Sequence, residues 1–201
     1  MNELPDSIQK LLYSLQQVPY LASKNLYKVA NYFLEQDSAN IAQFCKILLE
    51  ANQQIVSCQQ CFTWQQIDKP CGFCDELKRD KTIICVVERW PDVLLIERTS
   101  NYNGQYHVLG GIISPLNGIG PKDLTIDFLV KRVQEHKSQE LVLALSQTPE
   151  GEATMAYILD RLQGLNIKIS GLAQGMPVGS SLEYMDRVTL MKAFVNRKQL
   201  L

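Results

Sequence analysis

The sequence predicts a multidomain chain of mixed α+β and α/β class. It reads as a helical N-terminal unit, a four-cysteine zinc knuckle, an α/β domain with a mostly parallel sheet, and a C-terminal tail. Three observations predict this. Residues 1–55 repeat apolar side chains at helical spacing. Four of the six cysteines fall in CQQCFTWQQIDKPCGFC, residues 58–74. From about residue 80 to 175, short apolar runs alternate with helical patterns, the mark of a parallel sheet with crossover helices.

The elements follow in order. Residues 6–17 place Ile8, Leu11, Leu12 and Leu15 on one helical face, and Pro19 ends that helix. Ser23 is placed to cap the next helix, whose apolar face is Leu26, Val29, Ala30, Phe33 and Leu34. A third helix begins near Ser38 and turns Ile41, Phe44, Cys45 and Leu48 inward. TIICVVE (82–88) has the continuous apolar character of a strand buried on both faces. A helix starts at Pro91 and Asp92 and runs to Arg98; YHVL (106–109) is the second strand. A helix over about 123–136 leads to the strand ELVLALS (140–146). The turn TPEGE opens a helix that ends near Gly164, and IKISGLA (167–173) is a further strand. The tail starts in a Gly/Pro turn and ends in a short helix. The expected boundaries are 1–55 for the helical unit, 56–78 for the knuckle, 79–175 for the α/β domain and 176–201 for the tail.

With 46% hydrophobic and 20% charged residues, the 201-residue chain has the composition of a globular protein with a core. No apolar run approaches the eighteen or so residues that span a bilayer, which argues against a membrane protein. MNELPDSIQK lacks a basic segment followed by an apolar one, so a cytoplasmic location is expected. The net charge of −1 means that any DNA binding must come from local basic patches, or from subunits that pool them. No Walker A motif is present, so ATP hydrolysis is not supported.

Cys58, Cys61, Cys71 and Cys74 form two CxxC turns joined by a loop long enough to fold one back on the other. That spacing suits a closed, structural zinc site, one ion per chain, with no open ligand position for catalysis. A redox pair needs one CxxC at a helix start and fits tandem pairs poorly. Cys45 and Cys85 read as core residues rather than ligands. In parallel sheets, ligands gather at the carboxyl ends of strands, and Glu88, Glu150 and Glu152 lie at two such ends. They could hold Mg²⁺, or Glu150 and Glu152 could simply favour the dipole of the following helix.

CVVE, followed some sixty residues later by a strand and EGEAT, resembles the Toprim domain of topoisomerases and primases. Catalytic members carry a DxDxEGE-like cluster; here the two aspartate positions are Ser146 and Thr148. That departure implies weak or absent Mg²⁺ binding and disfavours metal-dependent phosphotransfer. CQQCFTWQQIDKPCGFC, ICVVE, YHVLGGIISPLNGIGP, TPEGEAT and GLAQGMPVGSSLEYMD, in that order, resemble the bacterial recombination mediators of the RecR family over essentially the whole chain.

The resemblance implies a non-enzymatic DNA-repair protein that forms homodimers or ring-shaped homotetramers on DNA, associated with the nucleoid. It implies RecO, and in some organisms RecF, as partners in loading RecA on single-stranded DNA. It also implies a helix-hairpin-helix in the N-terminal helices, whose PGxGxK-like turn stands here as PYLASK (19–24), with Tyr20 and Ala22 at the glycine positions. Tyrosine rarely takes positive φ, so the turn is expected to be reshaped or less suited to hugging phosphate. Lys24 and Lys28, one helical turn apart, are the expected phosphate contacts, unless they are an ordinary solvated face. Lys78, Arg79 and Lys81 could add to the same basic surface. Met176, Val178, Leu190 and Phe194 are candidates for subunit assembly, or for packing within one subunit. In a protein-only adaptor, Glu88, Glu150 and Glu152 would instead meet a basic partner such as RecO.

Overall fold

The computed structural model describes residues 4–136 and 138–199. The chain divides into two compact units, Met1–Ile55 and Val56–Leu201.

The first unit is helical: α1 (Asp6–Gln16), α2 (Ser23–Glu35) and α3 (Ser38–Gln54). The apolar stripes of α1 and α2 bury one another. Leu12, Leu26 and Ala30 form the centre, and Ile8, Leu11, Leu15 and Leu21 pack around it. Ser23 is the first helical residue rather than the cap; Ala22 takes the cap position with no side-chain hydrogen bond. α3 is capped by Asp37, whose carboxylate accepts the Asn40 N–H at 2.8 Å. The inward face expected for α3 is not formed. Phe44, Cys45 and Leu48 are exposed, and only Ile41 is half-buried. The physical reason is that α1 and α2 already satisfy each other's stripes; α3 meets α2 through the Phe33 and Phe44 rings, whose centres lie 5.3 Å apart.

Tyr20 takes the left-handed conformation, φ +66°, which L-residues adopt at a cost of about 1–2 kcal/mol. Ala22 is extended, with φ −59°.

In the second unit, two short strands, β1 (Ile55–Ser57) and β2 (Trp64–Gln66), pair at the base of the knuckle. The main sheet contains β3 (Asp80–Val87), β4 (Gly104–Val108), β5 (Glu140–Ala144) and β6 (Lys168–Gly171), all parallel, in the order β4-β3-β5-β6. Between them run α4 (Trp90–Glu97), α5 (Ile126–His136) and α6 (Pro149–Arg161), with α7 (Arg187–Val195) in the tail. β3 is apolar from Ile83 to Val87, where both its faces are covered. Ile84 and Val86 join one core with Leu129, Val133 and Ile158 from α5 and α6. Cys85 and Val87 join a second core with Val93 of α4 and Tyr106, against which Phe62 and Phe73 of the knuckle pack.

The starts of α5 and α6 differ from expectation. α5 starts at Ile126 because Pro121–Asp123 forms a 3-10 turn first. TPEGE is the start of α6 rather than a turn: Thr148 caps it by accepting the Gly151 N–H at 3.1 Å, and Pro149 fills the first position, where no N–H is needed. Register aligns Val87 with Val108 and with Ala144. The strand ends carrying Glu88, Leu109 and Leu145–Ser146 therefore lie side by side. A Cβ at Gly151 would collide with the Ser146 carbonyl, so α6 can approach this end of the sheet only through glycine.

His107 of β4 is fully buried, with Nε2 3.0 Å from Thr125 Oγ1. Burial, helped by the nearby Arg132 charge, pushes its imidazole down to about 3. The unfolded chain takes that proton near pH 6.5 and the fold refuses it until about 3, so stability falls as pH drops through this window. At pH 5 the loss is about 2 kcal/mol, 1.36 kcal/mol for each unit below 6.5. In urea titrations, the stability difference between the wild type and His107→Gln should narrow by that amount from pH 7 to pH 5. An unchanged difference would place the pH sensitivity elsewhere.

Candidate functional site

The four knuckle cysteines converge, and all four are buried. Their sulfurs lie within 4.8 Å of one another, with Cys58 to Cys74 at 3.9 Å and Cys61 to Cys71 at 3.5 Å. A tetrahedral zinc with Zn–S bonds of about 2.3 Å needs sulfur edges of about 3.8 Å, so the donor set fits the ion. Each CxxC is shaped by its own backbone. Phe62 N–H donates to Cys58 O at 2.9 Å, Asp75 N–H to Cys71 O at 3.0 Å, and Asp75 Oδ2 accepts the Cys71 N–H at 2.8 Å. Phe62 holds a φ of +61° to close the first turn. Among the sulfurs, hydrogen bonding with Cys61 draws Cys58 down to about 6, and hydrogen bonding with Cys58 draws Cys71 down further. Hydrogen bonding with Cys58 pushes Cys61 and Cys74 up. A divalent cation bound there would stabilise all four as thiolates. Zinc there would have a structural role, with every ligand position filled.

The knuckle is fixed to the sheet by residues the sequence analysis missed. Val108 N–H donates to Cys61 O at 2.9 Å, so the first turn caps the outer edge of β4. Arg132 of α5, 4% exposed, donates to Tyr106 O at 2.6 Å, to Gln60 O at 3.3 Å and to Gln105 Oε1 at 2.7 Å. Gln105 Nε2 in turn donates to Cys74 O at 3.1 Å. A signal for Arg132 existed. It follows Leu129 by three and precedes Val133, so it borders the apolar stripe of α5.

Arg79 departs from its expected place on a DNA-facing surface. Its side chain is only 8% exposed. It forms a two-pronged pair with Glu97 at 2.8 and 3.0 Å and meets Glu76 at 3.0 Å. It also lies over the rings of Phe73 and Tyr106 at 5.2 and 5.6 Å. Hydrogen bonding from Arg79 holds the Glu97 carboxyl below its usual range. Arg79 is thus a packing arginine between knuckle, α4 and β4, because its planar fork satisfies a half-buried carboxylate better than open solvent would. Its neighbours Lys78 and Lys81 are exposed. Lys24 and Lys28 are exposed on α2, with no ion pair among the described residues.

Of the strand-end acids, Glu88 is engaged by Ser146, whose N–H and Oγ–H both donate to Glu88 Oε1, at 2.6 and 2.5 Å. Glu152 pairs with Lys192 of α7 at 3.2 Å, and Glu150 lies half-buried in the first turn of α6. Among the described residues the four thiols are the one His/Cys/Asp/Glu group close enough to share an ion, and the three glutamates form none. The structural reason is that the hydroxyl at position 146, where an acid would repel Glu88, instead binds it. In the tail, Met176, Val178 and Phe194 are exposed and Leu190 is half-buried. Cys85 is buried in β3, as expected, whereas Cys45 is exposed on α3 and no core residue. Among the described residues no helix is long and apolar enough to cross a membrane.

Comparison with known proteins adds three findings. The Toprim domain model matches residues 82–173, and the model "RecR, C-terminal" matches residues 175–198. A protein of Staphylococcus haemolyticus named "Recombination protein RecR" is 38% identical over 196 residues, covering 98% of both chains. Relatives of the same name from Nocardioides and Synechococcus elongatus are 39% identical over 191 residues and 40% over 193, each covering at least 95% of this chain and 96% of its own length.

Proposed function

The chain belongs to the RecR family of recombination proteins, and from that premise we propose that it is a non-enzymatic DNA clamp of recombinational repair. In this reading it forms a homodimer or homotetramer ring in the cytoplasm, at the nucleoid. It acts with RecO, and with RecF where present, to load RecA on single-stranded DNA. The observation that carries the non-enzymatic part is the pairing of Glu88 with Ser146. Two-ion phosphoryl transfer needs carboxylates free to converge on the ions, and here one is tied up and the aspartate positions are Ser146 and Thr148. A Mg²⁺ titration with a labelled DNA substrate should yield no cleavage; cleavage abolished by Glu88→Gln would reverse this reading.

DNA contact is assigned to Lys24 and Lys28, with Lys78 and Lys81 as further contributors. Replacing Lys24 and Lys28 with alanine should weaken binding and flatten its salt dependence by up to about two units of log–log slope per bound subunit. An unchanged slope in fluorescence anisotropy would remove both residues from the interface. Met176, Val178 and Phe194 are proposed as assembly contacts, since their exposure leaves apolar surface for a neighbouring copy.

A further inference from the structure

We propose that the cleft between the knuckle and α5 is a docking site for an acidic peptide segment of a partner protein, one that carries a single large apolar side chain. The proposal is independent of the DNA reading, since it concerns a different surface and a ligand of other chemistry.

The first observation is the cleft itself, which has a volume of about 500 Å³. Gln59 and Gln60, the two residues between Cys58 and Cys61, line it opposite α5. This side of the cleft is held in place by the first cysteine turn. Gln60 N–H donates to Cys58 Sγ at 3.4 Å, and Phe62 N–H donates to Cys58 O at 2.9 Å. Gln60 Nε2 and His136 Nε2 lie 3.3 Å apart and join the turn to the end of α5. A preformed site of this kind spares a ligand much of the cost of ordering it.

The second observation is apolar surface. Phe128 of α5 is 58% exposed, and its ring lies 5.2 Å from that of the half-buried Phe62. Both residues line the cleft. An exposed ring beside a sheltered one is a surface against which a further large apolar side chain can pack. The exposed Gln59 amide carries both a donor and an acceptor for the peptide backbone.

The third observation is charge. Arg132 also lines the cleft and is 4% exposed. Its guanidinium donates to Tyr106 O, Gln60 O and Gln105 Oε1, none of them a carboxylate. Its Nε has no hydrogen-bond partner among the described residues. Buried charges are ordinarily paired, because burial removes the water that stabilises them. Among the described residues that line the cleft, the one acid is Glu135, and Lys131 Nζ lies 3.7 Å from it. Lys131 and Arg132 against Glu135 leave one positive charge in excess, in a chain whose net charge is −1. A carboxylate beside the apolar anchor would supply the counter-charge. A nucleic-acid strand fits less well, because its phosphates call for several cations rather than one in excess.

The test is fluorescence anisotropy with the full-length, zinc-loaded protein and three labelled peptides: Glu-Glu-Phe-Glu-Glu, Glu-Glu-Gly-Glu-Glu and Lys-Lys-Phe-Lys-Lys. The wild type should bind the first about tenfold more tightly than either of the others. Phe128→Ala should lose that tenfold on the first peptide and leave the glycine peptide unchanged. Phe128→Leu, which keeps an apolar side chain, should retain most of the preference. Lys131→Glu, at an exposed position, should weaken both acidic peptides and strengthen the lysine peptide. Equal affinity for the three peptides, or a Phe128→Ala that binds like the wild type, would overturn the site. Displacement of the bound peptide by an oligothymidylate would give the cleft to nucleic acid. A change of sedimented mass in Phe128→Ala would give it to a second copy of the chain. Either result would also overturn the peptide reading.

Discussion

Stripping the metal, or replacing Cys61 with serine, is expected to lower the melting temperature by about 10–15 °C. That corresponds to about 4–5 kcal/mol in a chain of this size, the scale of losing a structural metal. The knuckle has no apolar core of its own beyond the four cysteines and Phe73. Without an ion, four buried thiols in mutual contact do little to hold it together. The damage should not stay local. The carbonyl of Cys61 caps the β4 edge through Val108, and Phe62 and Phe73 cover the core around Tyr106. Losing the knuckle would therefore uncover a sheet edge and part of a sheet face, both of which invite aggregation. Calorimetry with a parallel zinc assay checks this, and zinc added back should restore the transition. A metal-free protein that melts at the wild-type temperature would mean that the knuckle is independent of the domain.

The second large effect is expected at Arg132. Arg132→Ala should cost about 3–5 kcal/mol, because it strips donors from Tyr106 O, Gln60 O and Gln105 Oε1 in a buried place. Gln105 would then orient the Cys74 carbonyl less firmly, so zinc should also leave faster in a competition with chelator. The neighbouring Lys131→Ala should change stability by less than about 0.5 kcal/mol, since Lys131 is exposed. Comparable losses in the two variants would show that the buried bonds of Arg132 are not what stabilises this place.

The cysteine spacing and the β-branched runs were legible because each reflects a local rule. A CxxC sets sulfur geometry within one turn, and a strand covered on both faces must be apolar at every position, as Ile84, Cys85, Val86 and Val87 are. The fate of Arg79 and Arg132 was not legible. Nothing in KRDK separates an arginine that clamps Glu97 from a lysine that faces water, because the partner lies eighteen residues away. α3 misled for the opposite reason. Its apolar pattern is real, but periodicity shows only that a face exists and not what covers it. The turn was half legible. Tyr20 at a glycine position was visible in the sequence, whereas its left-handed backbone was not.

The proposed function is to bind DNA without cutting it. The most direct test is DNA binding by the purified, zinc-loaded protein across a salt series, with mass measured by light scattering on the same sample. The account predicts salt-sensitive binding by a dimer or tetramer. A well-folded oligomer that binds no DNA at any salt concentration would contradict it, and would turn the strand-end acids and the tail into a surface for proteins alone.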